Sequence, residues 1–342
     1  HARLGRELDA AAEFFHARGW LADPVSYHQE PDAIREVSLE DAGRGFHRYQ
    51  HLRFESGYAP HADEPGGERW LGYDSNHTAH AWMLEHPGPA RPWLMCIPGY
   101  RMGNPLVDFT GFKARWLHQH LGLNVAIPVL PLHGPRSRGR RGGGGFLSGD
   151  FIDTVHAQTQ AVWDVRKLMG WLRSERGAPV VGAYGVSLGG YTAALLAGLA
   201  DDLDFVIAGV PATDFLRLLQ RHLPPIARRA ADAIGFPFDT IEQVLRVVSP
   251  LQMPALVAHD RRFVYAGLAD SLVTPDQAHD LWHHWERPTI TWYDGGHVSF
   301  LWEDKVREVV HDALQRCGVV HKQGALAARA SAPARRPRRR RA

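Results

Sequence analysis

After about residue 90 the chain alternates short, continuous apolar runs with longer stretches at helical spacing. That rhythm predicts a parallel sheet with helices on both faces. The runs "PWLMCIPG" (92–99), "NVAIPVLPL" (124–132), "APVVGAYGV" (178–186), "LDFVIAGVPA" (203–212), "RRFVYAGLAD" (261–270) and "PTITWYDGG" (288–296) read as strands buried in such a sheet. Between them "FTGFKARWLHQHLG", residues 152–175, "SLGGYTAALLAGLA" and "TPDQAHDLWHHW" read as helices, and a last helix covers about 303–316. Upstream, "HRYQHLRFE" (47–55) and "HTAHAWMLE" (77–85) alternate roughly and predict two early strands that could pair antiparallel. Residues 7–20 read as an amphipathic helix, followed by a polar, irregular stretch.

These patterns divide the chain into an N-terminal helical and irregular extension (1–44), one α/β domain (45–316) and a basic tail (317–342), disordered from about 322. Two segments break the rhythm. Residues 211–253 hold "LRLLQRHLPPIARRAADAIGF" and "IEQVLRVV", too much helix for one crossover, so part of this insertion is a candidate cap over the sheet. Its leucines between 216 and 248 read as packing rather than as a dedicated acyl channel. The glycine-rich run at 139–145 lacks the GxxxxGK[ST] pattern of a phosphate cradle and reads as a flexible surface loop.

Composition narrows the picture. The chain has 342 residues, 44% of them hydrophobic, enough for a sizeable core, and no internal repeat. Formal charge is +2, yet six arginines fall in the last eight residues, so the body is mildly acidic. A nucleic-acid surface is not expected on it. The tail could hold nucleic acid, anionic lipid or an acidic partner, but reads first as solvated. Two cysteines make no disulfide framework, and Cys96 lies in an apolar run as a small core residue. No stretch is long and apolar enough for a spanning helix. A cytoplasmic location is the expectation, with a removed leader left open because the chain starts at His1.

The chemistry is carried by "VVGAYGVSLGGYTAALLAGLA" (180–200), where Ser187 stands between Gly185 and Gly189. G-x-S-x-G arises by chance in roughly one chain in eight of this length and composition, so the motif alone is weak. Its context strengthens it, because a predicted strand precedes it and a predicted helix follows. A tight turn there needs glycines where backbones approach, and puts the serine at a helix N-terminus that favours developing negative charge. A serine hydroxyl needs a base. His297 stands on a glycine turn just past the last predicted strand, at the edge where carboxyl ends of parallel strands gather. Asp270 ends "FVYAGLAD" and is the favoured acid to orient it; Asp214 in "GVPATDF" is the runner-up. The plain readings are a turn serine, a solvent histidine and a helix-capping aspartate.

Taken together, residues from about 45 to 316 resemble the α/β-hydrolase superfamily: G-x-S-x-G, then an acid, then a histidine, in that order. The resemblance implies a mostly parallel eight-stranded sheet with helices on both faces, and acyl transfer through a covalent acyl-serine. It assigns Ser187, Asp270 and His297 as nucleophile, acid and base. Where many relatives carry His-Gly to build the oxyanion hole, this chain has "IPGYRMG", which makes the Tyr100 and Leu188 amides the expected donors, with Arg101 the alternative to Tyr100. His133, ending "VLPLH", and Arg101 are candidate pocket residues. The expected function is a serine hydrolase of carboxylic esters or related acyl bonds, acting on a small-molecule acyl substrate with no metal or organic cofactor. Alternatives are an acyltransferase, thioesterase or peptidase on the same fold, or a non-catalytic binding protein on that scaffold. His77 with His80, and His283 with His284, lack an HExxH or carboxylate partner, so a metal site is not expected. Oligomeric state is not legible.

Overall fold

The computed structural model describes residues 2–45, 48–139, 142–147, 149–233 and 235–320. Three strands, β1 (Val37–Ala42), β2 (Tyr49–Glu55) and β3 (Thr78–Leu84), precede six more: β4 (Trp93–Ile97), β5 (Asn124–Pro128), β6 (Val181–Val186), β7 (Phe205–Gly209), β8 (Arg262–Gly267) and β9 (Thr289–Tyr293). Among the described residues they make one sheet in the order β1-β2-β3-β5-β4-β6-β7-β8-β9. The first three run antiparallel to their neighbours and β4 to β9 pair in parallel. The count is nine, not the expected eight. The additional strand is β1, whose "VSLEDA" lies on an exposed edge and carries no buried face to give it away.

The helices are α1 (Ala2–Ala17), α2 (Gly67–Leu71), α3 (Pro105–Gly111), α4 (Phe151–Arg176), α5 (Leu188–Leu196), α6 (Phe215–His222), α7 (Pro225–Ala233), α8 (Phe238–Leu245), α9 (Pro275–His284) and α10 (Asp304–Arg316). The helix expected over 109–122 is instead α3, started by the Asn104 side chain accepting from the Leu106 amide, and a separate turn of π-helix at Trp116–His120. Lys113, with φ 49°, separates the two.

Alternation along the strands builds two cores. In β6, Val181 and Ala183 face the core beneath α1, α4, α5 and α8, while Tyr184 and Val186 face the core beneath α3 and α10. Residues 2–44 are tied into the first core, where α1 buries Leu8, Ala11 and Phe15. Arg69 joins α2 to both neighbours, pairing with Glu7 of α1 at 2.7 Å and Asp153 of α4 at 2.9 Å. At the other end Cys317, just past α10, is buried in the second core. The arginine-rich run 335–341 lies outside the described residues.

The strand order reverses between β5-β4 and β6-β7, so loops leaving β4 and β6 part on opposite sides and open a crevice at the carboxyl edge. That is where the candidate chemistry sits.

Candidate active site

Strand β6 ends at Val186 and α5 begins at Leu188, which leaves Ser187 alone to make the turn, at φ 57° and ψ −116°. A side chain in that region is strained by about 1–3 kcal/mol and persists only where the surroundings enforce it. Here the Ser187 amide donates to the Gly209 carbonyl (2.9 Å), and its own carbonyl accepts from the Tyr191 amide (3.0 Å). Close backbone approach on both sides explains the glycines. A Cβ at Gly185 would lie 1.9 Å from the Gly189 carbonyl oxygen, and one at Gly189 would lie 1.9 Å from that of Ile97.

The carboxyl ends of β8 and β9 are laced together. The Leu268 amide donates to the Tyr293 carbonyl (2.8 Å) and the Ala269 amide to that of Gly295 (3.2 Å), which brings the two following loops side by side. Asp270 is buried there, its Oδ1 accepting from the amides of Leu272 and Val273, each at 2.9 Å. Its Oδ2 lies 2.6 Å from His297 Nδ1, and His297 Nε2 lies 2.8 Å from Ser187 Oγ. An ionised carboxylate only accepts, so Nδ1 carries the ring proton and Nε2 is left to accept from the Ser187 hydroxyl. Residues 110 positions apart meet because all three sit at carboxyl ends of parallel strands.

The remaining expected residues separate. Tyr100 and Leu188 flank Ser187: a Cβ at Gly99, next to Tyr100, would lie 3.5 Å from that of Ser187. Leu188 opens α5, so its amide has no acceptor within the helix. Asp214 does not approach His297; it caps α6, accepting from the Arg217 amide at 2.9 Å. Arg101 is exposed, with φ 66° and its guanidinium 5.4 Å from the Tyr100 ring centroid. His133 is buried against the edges of the Tyr100 and Phe146 rings rather than lining the cavity, and burial pulls its imidazole down to about 4. Its Nδ1 donates to the Pro131 carbonyl (2.8 Å), and its Nε2 has no partner. Within the glycine-rich run Gly139 and Gly144 are exposed, as a surface loop requires, but Gly143 is buried beside His133 and Tyr100; Arg140 and Arg141 lie outside the described residues.

A cavity of about 320 Å³ opens beside Ser187 and Leu188. Reading the sequence missed most of its walls. They come from Leu147 and Phe151 before and at the start of α4, and from Phe215, Leu218 and Leu219 on α6. The leucines of the 211–253 insertion are therefore divided: Leu216 and Leu245 pack in the core, while Leu218 and Leu219 also face the cavity. A signal was present in "DFLRLL", apolar at helical spacing directly after a strand end on the active edge. The four histidines weighed as metal ligands are otherwise engaged or separate. His77 Nε2 donates to the Leu71 carbonyl, His80 shares a hydrogen bond with His51, His283 packs on His279, and His284 Nε2 donates to Met253. Among the described residues no group of three or more His, Cys, Asp or Glu is placed to hold a metal ion, and no helix is long and apolar enough to cross a membrane.

No family model matches the chain. Two curated relatives do: the uncharacterized proteins MT2702 and Rv2627c of Mycobacterium tuberculosis, strains CDC 1551 / Oshkosh and ATCC 25618 / H37Rv. Each is 42% identical over 322 residues, 93% of this chain and 76% of the relative. In structure the chain is similar to acetyl xylan esterase 1 from Thermoanaerobacterium sp. JW/SL YS485 (TM-score 0.59, 14% identity, 87% of this chain and 93% of that one). It is also similar to an acetyl xylan esterase from Paenibacillus sp. R4 (TM-score 0.58, 15% identity, 88% and 99%). The chain belongs to the family of the two mycobacterial proteins. At 14–15% identity the esterases speak for the α/β-hydrolase fold alone. On this fold Ser187, Asp270 and His297 follow β6, β8 and β9, at the carboxyl edge where ligands collect in open parallel sheets.

Proposed function

We propose that the protein is a serine hydrolase that cleaves a carboxylic ester or related acyl bond through an acyl-serine. The observation that carries the reading is the unbroken line from Ser187 Oγ to His297 Nε2 (2.8 Å) and from Nδ1 to the buried Asp270 (2.6 Å). In the first half-reaction the Ser187 hydroxyl gives its proton to His297 Nε2 as Oγ bonds to the carbonyl carbon. The carbonyl oxygen takes the negative charge and accepts from the Tyr100 and Leu188 amides, which form the oxyanion hole and lower the barrier by about 3 kcal/mol each. When the carbon–oxygen bond to the alcohol breaks, the leaving oxygen takes the proton back from Nε2. Water then repeats the sequence on the acyl-serine, giving its proton to His297, releasing the acid and restoring Ser187. Asp270 holds the ring in the tautomer the cycle needs and stabilises the imidazolium without itself taking a proton.

The strained Ser187 backbone supports this reading, because a turn serine with no task has no need of φ 57°. The test is labelling with a fluorophosphonate probe. Wild type should label and Ser187→Ala should not, with ester hydrolysis falling by about a thousandfold or more. Folded wild type that neither labels nor hydrolyses esters would overturn the proposal in favour of a binding protein on a hydrolase scaffold.

A further inference from the structure

The cavity beside Ser187 is too large for an acetyl group and contains nothing for a charged or sugar-like one. Its volume of about 320 Å³ is roughly ten water molecules at ~30 Å³ each. Among the described residues no Asp, Glu, Lys or Arg lines it. Its polar side chains are mostly occupied: the Thr154 hydroxyl donates to the Phe146 carbonyl, and His222 Nε2 donates to the Leu272 carbonyl at 2.8 Å. The walls are hydrocarbon and aromatic, from Phe151 at the start of α4 to Phe215, Leu218 and Leu219 on α6. Phe215 is fixed from behind by stacking on Tyr191, with ring centroids 4.0 Å apart.

The lining also says which half of an ester enters. Tyr100 and Leu188, the residues proposed to bind the carbonyl oxygen, are part of it, and His297 is not. The departing alcohol must lie within reach of His297 Nε2, so it sits outside the cavity and the acyl half sits within.

On these grounds we infer that the acyl half of the substrate is an uncharged hydrocarbon chain, several methylenes long, bound between α4 and α6. The inference rests on the serine-hydrolase reading above and narrows it to one substrate class. It separates this protein from any enzyme that removes acetyl groups from a polar polymer. Each methylene that enters the cavity leaves water, which should raise kcat/KM about fourfold until the chain reaches the far wall. A terminal carboxylate of the same length would be buried without a partner and rejected.

The test uses the full chain with p-nitrophenyl acetate, butyrate, hexanoate and octanoate, the p-nitrophenyl monoester of adipic acid, and a second series of acetates of lengthening alcohols, alongside fluorophosphonate labelling. The expected result is a rise of about fourfold per methylene from acetate to hexanoate. The adipate monoester should be at least tenfold poorer than the hexanoate, and the alcohol series should be nearly flat. Leu219→Trp, which fills the space at α6, should lower the octanoate-to-acetate ratio about tenfold. The wild-type series carries the test by itself should that variant not fold. Labelling with acetate as best substrate, an adipate ester as good as the hexanoate, or a rise in the alcohol series instead would each overturn the inference and leave the serine hydrolase standing. Absence of both labelling and hydrolysis would remove the serine-hydrolase reading, and the inference with it.

Discussion

Two aspartates compete at the active edge, and their surroundings give them different work. Asp270 is buried with one oxygen on two backbone amides and the other on His297, whereas Asp214 is half-buried and caps α6. Asp270→Asn should therefore lower turnover about a thousandfold or more with little change in stability, because the amide cannot favour the required tautomer. Asp214→Ala should keep turnover and lose about 1 kcal/mol of stability, the usual worth of a helix cap. Steady-state kinetics and a urea titration on both variants separate the two roles, and equal kinetic losses would refute the assignment. Gly143 offers a second test at this scale. Its φ is +78°, and an added Cβ would lie 2.7 Å from His133 Nε2 and 2.8 Å from the Tyr100 ring. Both rings are packed, so Gly143→Ala should displace Tyr100 and with it the amide proposed to bind the oxyanion. We expect kcat to fall about tenfold to a hundredfold while KM changes little; a loss confined to KM would place Tyr100 in binding alone.

Elements were legible in proportion to how strongly burial constrained them. Strand β6 is buried at all six positions and runs straight into the glycine-flanked Ser187, so its apolar run and the turn could be read directly. The order serine, acid, histidine could be read for a related reason: each follows a strand whose carboxyl end is forced to one edge. Strand β1 could not, since an edge strand with one partner needs no apolar face. The cavity walls were hidden because α6 faces both core and cavity, and periodicity does not distinguish the two. Least legible was Arg136, in "HGPRSRG", which the sequence presents as one more loop arginine. It is fully buried, donates to the carbonyls of Val129 and Asn76, and pairs with Asp164 of α4 at 2.8 Å. It thus ties the loop after β5, the loop before β3 and α4 together. Arg136→Leu would strand a buried carboxylate and should lose about 3–5 kcal/mol, whereas Arg136→Leu with Asp164→Leu should recover most of it. Urea midpoints of the three proteins decide; equal losses for the single and double variants would mean that packing, not charge, is what Arg136 contributes.

At the scale of the whole molecule, stability should depend on pH through its many enclosed histidines. His133 and His156 are almost completely buried, and desolvation lowers both imidazoles, His133 to about 4. The half-buried His28 and His80 are lowered by the same cause, to about 3 and about 4. In the unfolded chain each takes up a proton near pH 6.5. Above that value both states are neutral and the stability these groups allow is fully present. As pH falls from about 6.5 towards 4 the unfolded state binds protons that the folded state refuses, and each such proton removes about 1.4 kcal/mol per pH unit. Burial also raises three aspartates, Asp108 to about 6 and Asp153 and Asp164 in the same direction. These act with the opposite sign, because the folded state binds their protons first and gains stability as pH falls. Between 6.5 and 5 four histidines take up protons in the unfolded chain, against Asp108, which takes one up in the folded state near 6, so the loss prevails. Several kilocalories are at stake against a usual total of about 5–15 kcal/mol. The urea midpoint should therefore fall between pH 7 and pH 5, and unfolding at pH 5.5 in weak buffer should consume protons. A midpoint that rises over that interval, or unfolding that releases protons, would show that the buried carboxyl groups dominate instead.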